Sequence, residues 1–139
     1  MNLTSMYLVA GISALLSVGV HASAVDARTQ YIADYMHFME TYCVGSHLPG
    51  DCETNFVASR IQEKVRNHMG DSGRFLGEQV VVEVTFAKDG RVLVVDGEGD
   101  GVSKVSDAFF AISPFEELIY SKSKSAERLH HSYFTFELN

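Results

Sequence analysis

Two segments of the chain alternate apolar and polar positions with the period of two that predicts a half-buried β-strand. In the first segment, one parity is wholly apolar and comprises Val80, Val82, Val84 and Phe86. In the second segment, at the end of the chain, the apolar parity comprises Phe134, Phe136 and Leu138. Each pattern predicts a strand that turns one face toward a core.

A turn signal separates the first strand from another apolar run. Lys88-Asp89-Gly90 follows the alternating segment, and Gly90 can adopt the left-handed conformation that a short hairpin with a bulge requires. Residues Val92 to Val95 are apolar on both faces, which favours a central strand or one covered by helices. Residues 80–95 therefore predict a β-hairpin.

Three longer segments show the spacing of amphipathic helices. Residues 25–42 carry an aromatic stripe at that spacing, made of Tyr31, Tyr35, Phe38 and Tyr42. A second stripe runs from Phe56 to Met69 and is followed by Gly70, a natural helix C-cap. The third helix is predicted around Val105 to Ile112, because Pro114 cannot continue it.

The predicted order is helix, helix, strand, strand, helix, strand, with a short helical turn over residues 126–129 before the last strand. Three strands backed by helices bury enough apolar surface for a small domain. We therefore predict an α+β fold, a three-stranded antiparallel sheet with helices packed on one face, plus an extra N-terminal helix.

The first residues have the pattern of an export signal. An apolar stretch from Met6 to Val20 precedes Ala22-Ser23-Ala24, the small-x-small pattern that a signal peptidase requires. An uncleaved N-terminal anchor is the alternative, although membrane spans need about 20 predominantly apolar residues. We expect residues 1–24 to be a signal peptide cleaved after Ala24, residues 25–53 an N-terminal helix and disulfide loop, and residues 54–139 a domain. The expected location is periplasmic.

Cysteine usage agrees with export. Cys43 and Cys52 are the two cysteines of the chain, and an even count behind a signal peptide predicts a disulfide bond. The alternative is a redox or metal pair, but the spacing is not C-x-x-C. His47 stands alone beside them.

The charge and the motifs argue against several classes of function. A formal net charge of −7 disfavours a nucleic-acid partner, because phosphate backbones are repelled. The acidic stretch from Asp96 to Gly101 resembles a calcium loop, but a strand precedes it and Asp107 falls where a bidentate Glu is needed. No nucleophile motif or Ser/His/Asp order is present. We therefore expect no metal, no cofactor and no catalytic residues.

Four segments, in this order and spacing, resemble the C-terminal periplasmic domain of TolA, within the TonB/TolA C-terminal domain family. They are "FVASRIQEKV" (56–65), "VTFAKDGRVLVV" (84–95), "SDAFFAISPF" (106–115) and "SAERLHHSYFTFELN" (125–139). The similarity covers residues 54–139. TolA and TonB carry a membrane helix and a long spacer before this domain, whereas residues 1–53 here have the pattern of a cleavable leader and a short helix. We therefore do not expect the energy-transducing role.

The resemblance implies a binding mode. An open sheet edge receives an extended peptide as an additional strand. This points to the final strand, with Tyr133, Phe134, Thr135, Phe136 and Glu137 as partner-binding residues. The expected partner is another periplasmic or imported protein, without membrane insertion after cleavage, and a homodimer through a sheet edge is a further possibility.

An inhibitor is the alternative function. Small, acidic, exported and disulfide-linked domains suit immunity proteins that neutralise a toxin or a cell-wall hydrolase. The loop inserted into the basic cleft of such a target would be residues 96–107 or the loop between Cys43 and Cys52.

Export is testable by mass. We expect the intact mass of the exported protein to correspond to a chain that begins at Val25, because the small residues before it fit a signal peptidase. A mass that retains residues 1–24 would contradict cleavage.

Overall fold

The computed structural model describes residues 26–45, 49–71, 73–121 and 125–138. The predicted signal peptide and its cleavage site lie outside the described residues. The chain divides into two units, residues 1–37 and 38–139. In the first unit, residues 26–37 are helical, with Tyr31 buried and Ile32 and Met36 exposed.

The second unit contains the sheet and most of the helices. The described part of the first helix, α1, spans residues 26–42. The remaining elements are α2 (Pro49–Met69), a 3₁₀ turn (Gly73–Phe75), β1 (Gln79–Phe86), β2 (Val92–Gly97), α3 (Val102–Ile112), α4 (Glu116–Tyr120), α5 (Ser125–Arg128) and β3 (His131–Glu137). The predicted α+β fold with an extra N-terminal helix is confirmed.

The three strands form an antiparallel sheet in the order β2-β1-β3. Along β1 and β3, burial alternates with the parity that the apolar pattern predicts. Val82 and Val84 are fully buried on one face, whereas Val81 is exposed on the other. One face of the sheet therefore packs against helices and the other face is open.

The expectation that residues 92–95 form a central or covered strand is wrong. β2 is an edge strand, and Leu93 and Val94 are 46% and 45% exposed. The central position belongs to β1, because β3 returns from the end of the chain to pair with its other side. Strand order depends on this long-range pairing, which an apolar run within one strand does not encode.

An aromatic cluster forms the centre of the covered face. Its members come from β1, α3, β3 and the connection between α3 and α4: Phe86, Phe109, Phe115, Phe134 and Phe136. The Phe86 ring meets Phe115 edge-on at 5.9 Å between centroids, and Phe109 lies 5.5 Å from Phe134. Each buried phenylalanine contributes on the order of 1.5–3 kcal/mol, so this cluster holds the helices against the sheet.

Helix α2 is joined to the segment before it by the Cys43–Cys52 disulfide, which confirms the predicted pairing. The helix begins at Pro49 rather than after the cysteines, so Cys52 lies within it and is buried. Proline is well suited to the first position of a helix, where its missing N–H is not needed. Gly70, at the other end, has a φ of +59°, as its predicted capping role requires.

A buried carboxylate on α4 forms ion pairs with two partly exposed cations on α2. The Glu117 side chain is 3% exposed, and its Oε2 atom lies 2.5 Å from Lys64 Nζ and 3.4 Å from Arg60 Nε. Among the described residues, its Oε1 atom accepts no hydrogen bond. Since a buried carboxylate is costly without cations, these contacts help to hold α4 against α2.

The hairpin turn contains the tightest glycine of the described residues. Gly90 has a φ of +86°, and its carbonyl accepts a hydrogen bond from the Phe115 N–H at 2.9 Å. A Cβ atom added at Gly90 would lie 2.4 Å from the Phe115 carbonyl oxygen. Gly77 has a similar φ of +83°, but a Cβ atom there would meet nothing within 4 Å.

These two glycines form a matched pair for mutation. We expect Gly90→Ala to lower the free energy of unfolding by about 3 kcal/mol or more, because backbone strain and a steric clash add. Gly77→Ala should cost only about 1–2 kcal/mol, which is the strain alone. Urea denaturation measures both values, and equal losses would contradict the close approach of Gly90 to Phe115.

Candidate functional site

The outer edge of β3 presents a row of backbone groups. The Leu138 N–H donates to the Glu78 carbonyl at 2.8 Å, and the Phe86 N–H donates to the His130 carbonyl at 2.9 Å. The backbone hydrogen bonds between β3 and β1 are therefore formed by the even-numbered residues of β3. Because hydrogen-bonding direction alternates along an antiparallel strand, the odd-numbered residues His131, Tyr133, Thr135 and Glu137 direct their N–H and C=O groups away from the sheet.

The structure divides the five predicted partner-binding residues into two groups. Tyr133, Thr135 and Glu137 are exposed, and their backbone groups point outward. Phe134 and Phe136 are buried, and their backbone groups are directed toward β1. The exposed three residues can contact another chain, whereas the two phenylalanines support the strand from the core.

One outward carbonyl of β3 already has a partner. The Gln62 side chain of α2 donates from Nε2 to the Thr135 carbonyl at 2.7 Å. Gln62 also lines a shallow polar groove of about 530 Å³ on α2, with Ser59, Glu63, Arg66 and Asn67. A side-chain amide thus occupies the position that the N–H of an added strand would take.

The other edge, on β2, is shorter and irregular. Asp96 and Val94 lie opposite Glu83 and Thr85, so the backbone groups that point outward are those of Val95 and Gly97. The register then skips Leu93 at a bulge. Bulges interrupt the regular spacing that an incoming strand needs, so β3 offers the longer regular edge.

The open face of the sheet is shallow and acidic. A depression of about 580 Å³, wide open to solvent, is lined by Gln79, Val81, Glu83, Asp96, Gly97, Glu98 and Tyr133. Asp96, Glu83 and Tyr133 form one row across β2, β1 and β3, since Glu83 is the register partner of both others. We call Glu83, Asp96, Glu98 and Tyr133 the acidic face patch. Its two directly opposed carboxylates, Glu83 and Asp96, repel one another.

Tyr133 connects the patch to the β3 edge. Tyr133 is 72% exposed, and it lies directly opposite Glu83 in the register of β1 and β3. Beside it, His131 Nδ1 lies 3.1 Å from Thr85 Oγ1 and 3.9 Å from Glu83 Oε1. The backbone of Tyr133 faces the edge while its side chain faces the patch, so the two features form one continuous surface.

The loops that the alternative function requires are small where they are described. Residues 96–107 comprise the end of β2, a short connection over residues 98–101 and the first turns of α3. The Gly101 N–H in this connection donates to Glu78 Oε1 at 3.1 Å. In the cysteine loop, residues 46–48 lie outside the described residues.

The described residues contain neither a metal-binding cluster nor a membrane-spanning helix. There, no group of three or more His, Cys, Asp or Glu side chains is arranged to hold a metal ion. Within the same residues, every helix is too short or too polar to cross a bilayer.

No protein-family model matches this chain, and no curated protein matches it significantly.

The contact between Tyr133 and Glu83 gives a testable pKa. The hydrogen bond to Glu83, together with the negative charge of that carboxylate, raises the pKa of Tyr133 above its ordinary value of 10.0. Because the folded state favours the protonated form of Tyr133, its contact with Glu83 stabilises the fold fully below the unfolded-state pKa. This contribution is lost as the pH rises through the folded-state pKa of Tyr133. We expect Glu83→Gln to lower the pKa of Tyr133, measured by NMR titration of its ring carbons.

Glu137→Gln is the matched control for this titration, since Glu137 lies on the same face and does not contribute to the shift. A pKa of Tyr133 that moves equally in both variants would contradict the specific contact with Glu83.

Proposed function

We propose that this chain is a non-enzymatic, periplasmic protein-binding module that receives an extended segment of another protein as a strand beside β3. The observation that carries the proposal is the row of outward backbone groups at His131, Tyr133, Thr135 and Glu137. Backbone hydrogen bonds of this kind supply affinity in strand addition, while exposed side chains supply specificity.

Further features support the proposal. The Cys43–Cys52 disulfide is compatible with an exported protein. The resemblance of residues 54–139 to the end domain of TolA points to the same binding mode. The inhibitor role has less support, because only residues 98–101 connect β2 to α3.

Gln62 would be the group displaced by the partner. Its Nε2 atom donates to the Thr135 carbonyl, as a backbone N–H of the added strand would. Exchanging one donor for another costs little, because the carbonyl remains satisfied throughout. The edge is thereby protected from unwanted pairing when no partner is bound, without being closed.

Hydrogen exchange tests the proposal through the parity of β3. After a partner is isolated from the periplasmic fraction, we expect the amides of His131, Tyr133, Thr135 and Glu137 to gain protection in the complex. The even-numbered amides are already paired with β1 and should change little. Protection confined to residues 98–101 would instead favour the inhibitor role, and unchanged β3 amides would exclude strand addition at this edge.

Two proline variants serve as a matched pair for the same partner. Thr135→Pro removes an outward N–H from β3, and Val95→Pro removes one from β2, without removing a hydrogen bond within the sheet. We expect Thr135→Pro to weaken binding by about tenfold or more and Val95→Pro by less than about twofold. Thermal unfolding of both variants verifies that they remain folded.

A further inference from the structure

The open face adjoining β3 combines three properties that a docking surface requires. It forms a shallow, open depression of about 580 Å³, it exposes apolar and aromatic side chains, and it carries carboxylates. Tyr133 on the edge strand β3 is 72% exposed, and Val81 on the central strand β1 is 48% exposed. Nothing in the described residues covers this face.

The charges of this face identify the kind of partner that fits it. Glu83 and Asp96 are direct cross-strand neighbours, an arrangement of like charges that destabilises a sheet. Glu98 also lines this depression, and no Lys or Arg is among the described residues that line it. A local arrangement that opposes stability is expected at functional sites, where a ligand supplies the missing counter-charge.

The position of Tyr133 links this charge to the β3 edge. A strand added beside β3 would extend the open face, and every second side chain of that strand would project over it. An arginine in such a position can stack on the Tyr133 ring and extend toward Glu83 on the far side of that ring. The edge would therefore bind the backbone of the partner, and the acidic face patch would select its side chains by their charge.

We infer that the segment received beside β3 is cationic, with arginine or lysine at alternate positions facing the acidic face patch. This inference rests on the proposed function, because it names the chemistry of the partner at the same site. A second copy of this chain is disfavoured as the occupant, since the formal net charge of −7 makes two copies repel.

Synthetic peptides provide the probes. Three peptides of seven residues, the length of β3, alternate threonine with arginine, glutamine or glutamate. We expect the arginine peptide to bind about tenfold more tightly than the glutamine peptide, and the glutamate peptide more weakly still. Its affinity should fall as the salt concentration rises from about 0.05 M to about 0.3 M, because exposed charges are screened. NMR titration gives the affinities, and amide hydrogen exchange gives the protection of β3.

Two triple variants distinguish the effect of the carboxylates in the acidic face patch from the effect of the net charge of the whole chain. The patch variant combines Glu83→Gln, Asp96→Asn and Glu98→Gln. The control variant combines Asp107→Asn, Glu116→Gln and Glu127→Gln, which remove the same charge from exposed positions on the helices. We expect the patch variant to lose about tenfold in affinity for the arginine peptide and the control variant less than about twofold.

Each other outcome contradicts a specific part of this assignment. If all three peptides protect the β3 amides with equal affinity, strand addition stands and the cationic partner is excluded. If none protects them, or if the arginine peptide binds the patch without protecting them, the cationic assignment is overturned, whereas the proposed function is decided by hydrogen exchange in the complex with the isolated partner. If protection rises with protein concentration in the absence of peptide, a second copy is the occupant, and the cationic assignment is overturned.

Discussion

The structure depends on the alternation of buried and exposed side chains along β1. This strand is paired on both sides, and its even-numbered side chains enter the core while its odd-numbered ones face outward. A slip of one residue in its register would reverse every side chain and bring Glu83 into the aromatic cluster. Burial of Val82, Val84 and Phe86 against Phe109 and its neighbours therefore fixes both faces of the sheet together.

The same register that builds the core also assembles the acidic face patch. When Val84 is aligned with Val95 on one face, Glu83 is aligned with Asp96 on the other, because a single register sets all pairs of two adjacent strands. The repulsion between these carboxylates is of the order of 0.2–1 kcal/mol, whereas each buried core side chain contributes about 1.5–3 kcal/mol. Core packing thus outweighs the repulsion, and the patch persists as a surface of unbalanced charge.

The two sheet edges are controlled in different ways. At β2, the bulge at Leu93 interrupts the edge, so a regular strand cannot pair along its whole length. At β3, the edge stays regular and a side chain of α2 occupies one carbonyl. A side chain can be displaced by rotation about its own bonds, whereas a bulge is built into the backbone. This difference makes β3 the edge suited to reversible docking.

Local sequence patterns were sufficient for the elements and for some of their details. The period of two in residues 80–86 and 134–138 predicted which side chains face the core, because each side chain direction follows from its own strand. The turn at Gly90 and the disulfide were likewise predictable, the first from backbone freedom and the second from a count of two cysteines. None of these features requires knowledge of distant neighbours.

Tertiary structure alone decided the strand order and the composition of the site. Phe134 and Phe136 belong to the strand predicted to bind a partner, yet pairing with β1 turns their backbone groups inward and leaves the outward groups to their odd-numbered neighbours. Gln62 and Thr135 meet across 73 positions of sequence. Asp96, Glu83 and Tyr133 form a row only because three strands align in one register. Such contacts arise from pairing between remote segments, and no local periodicity carries that information.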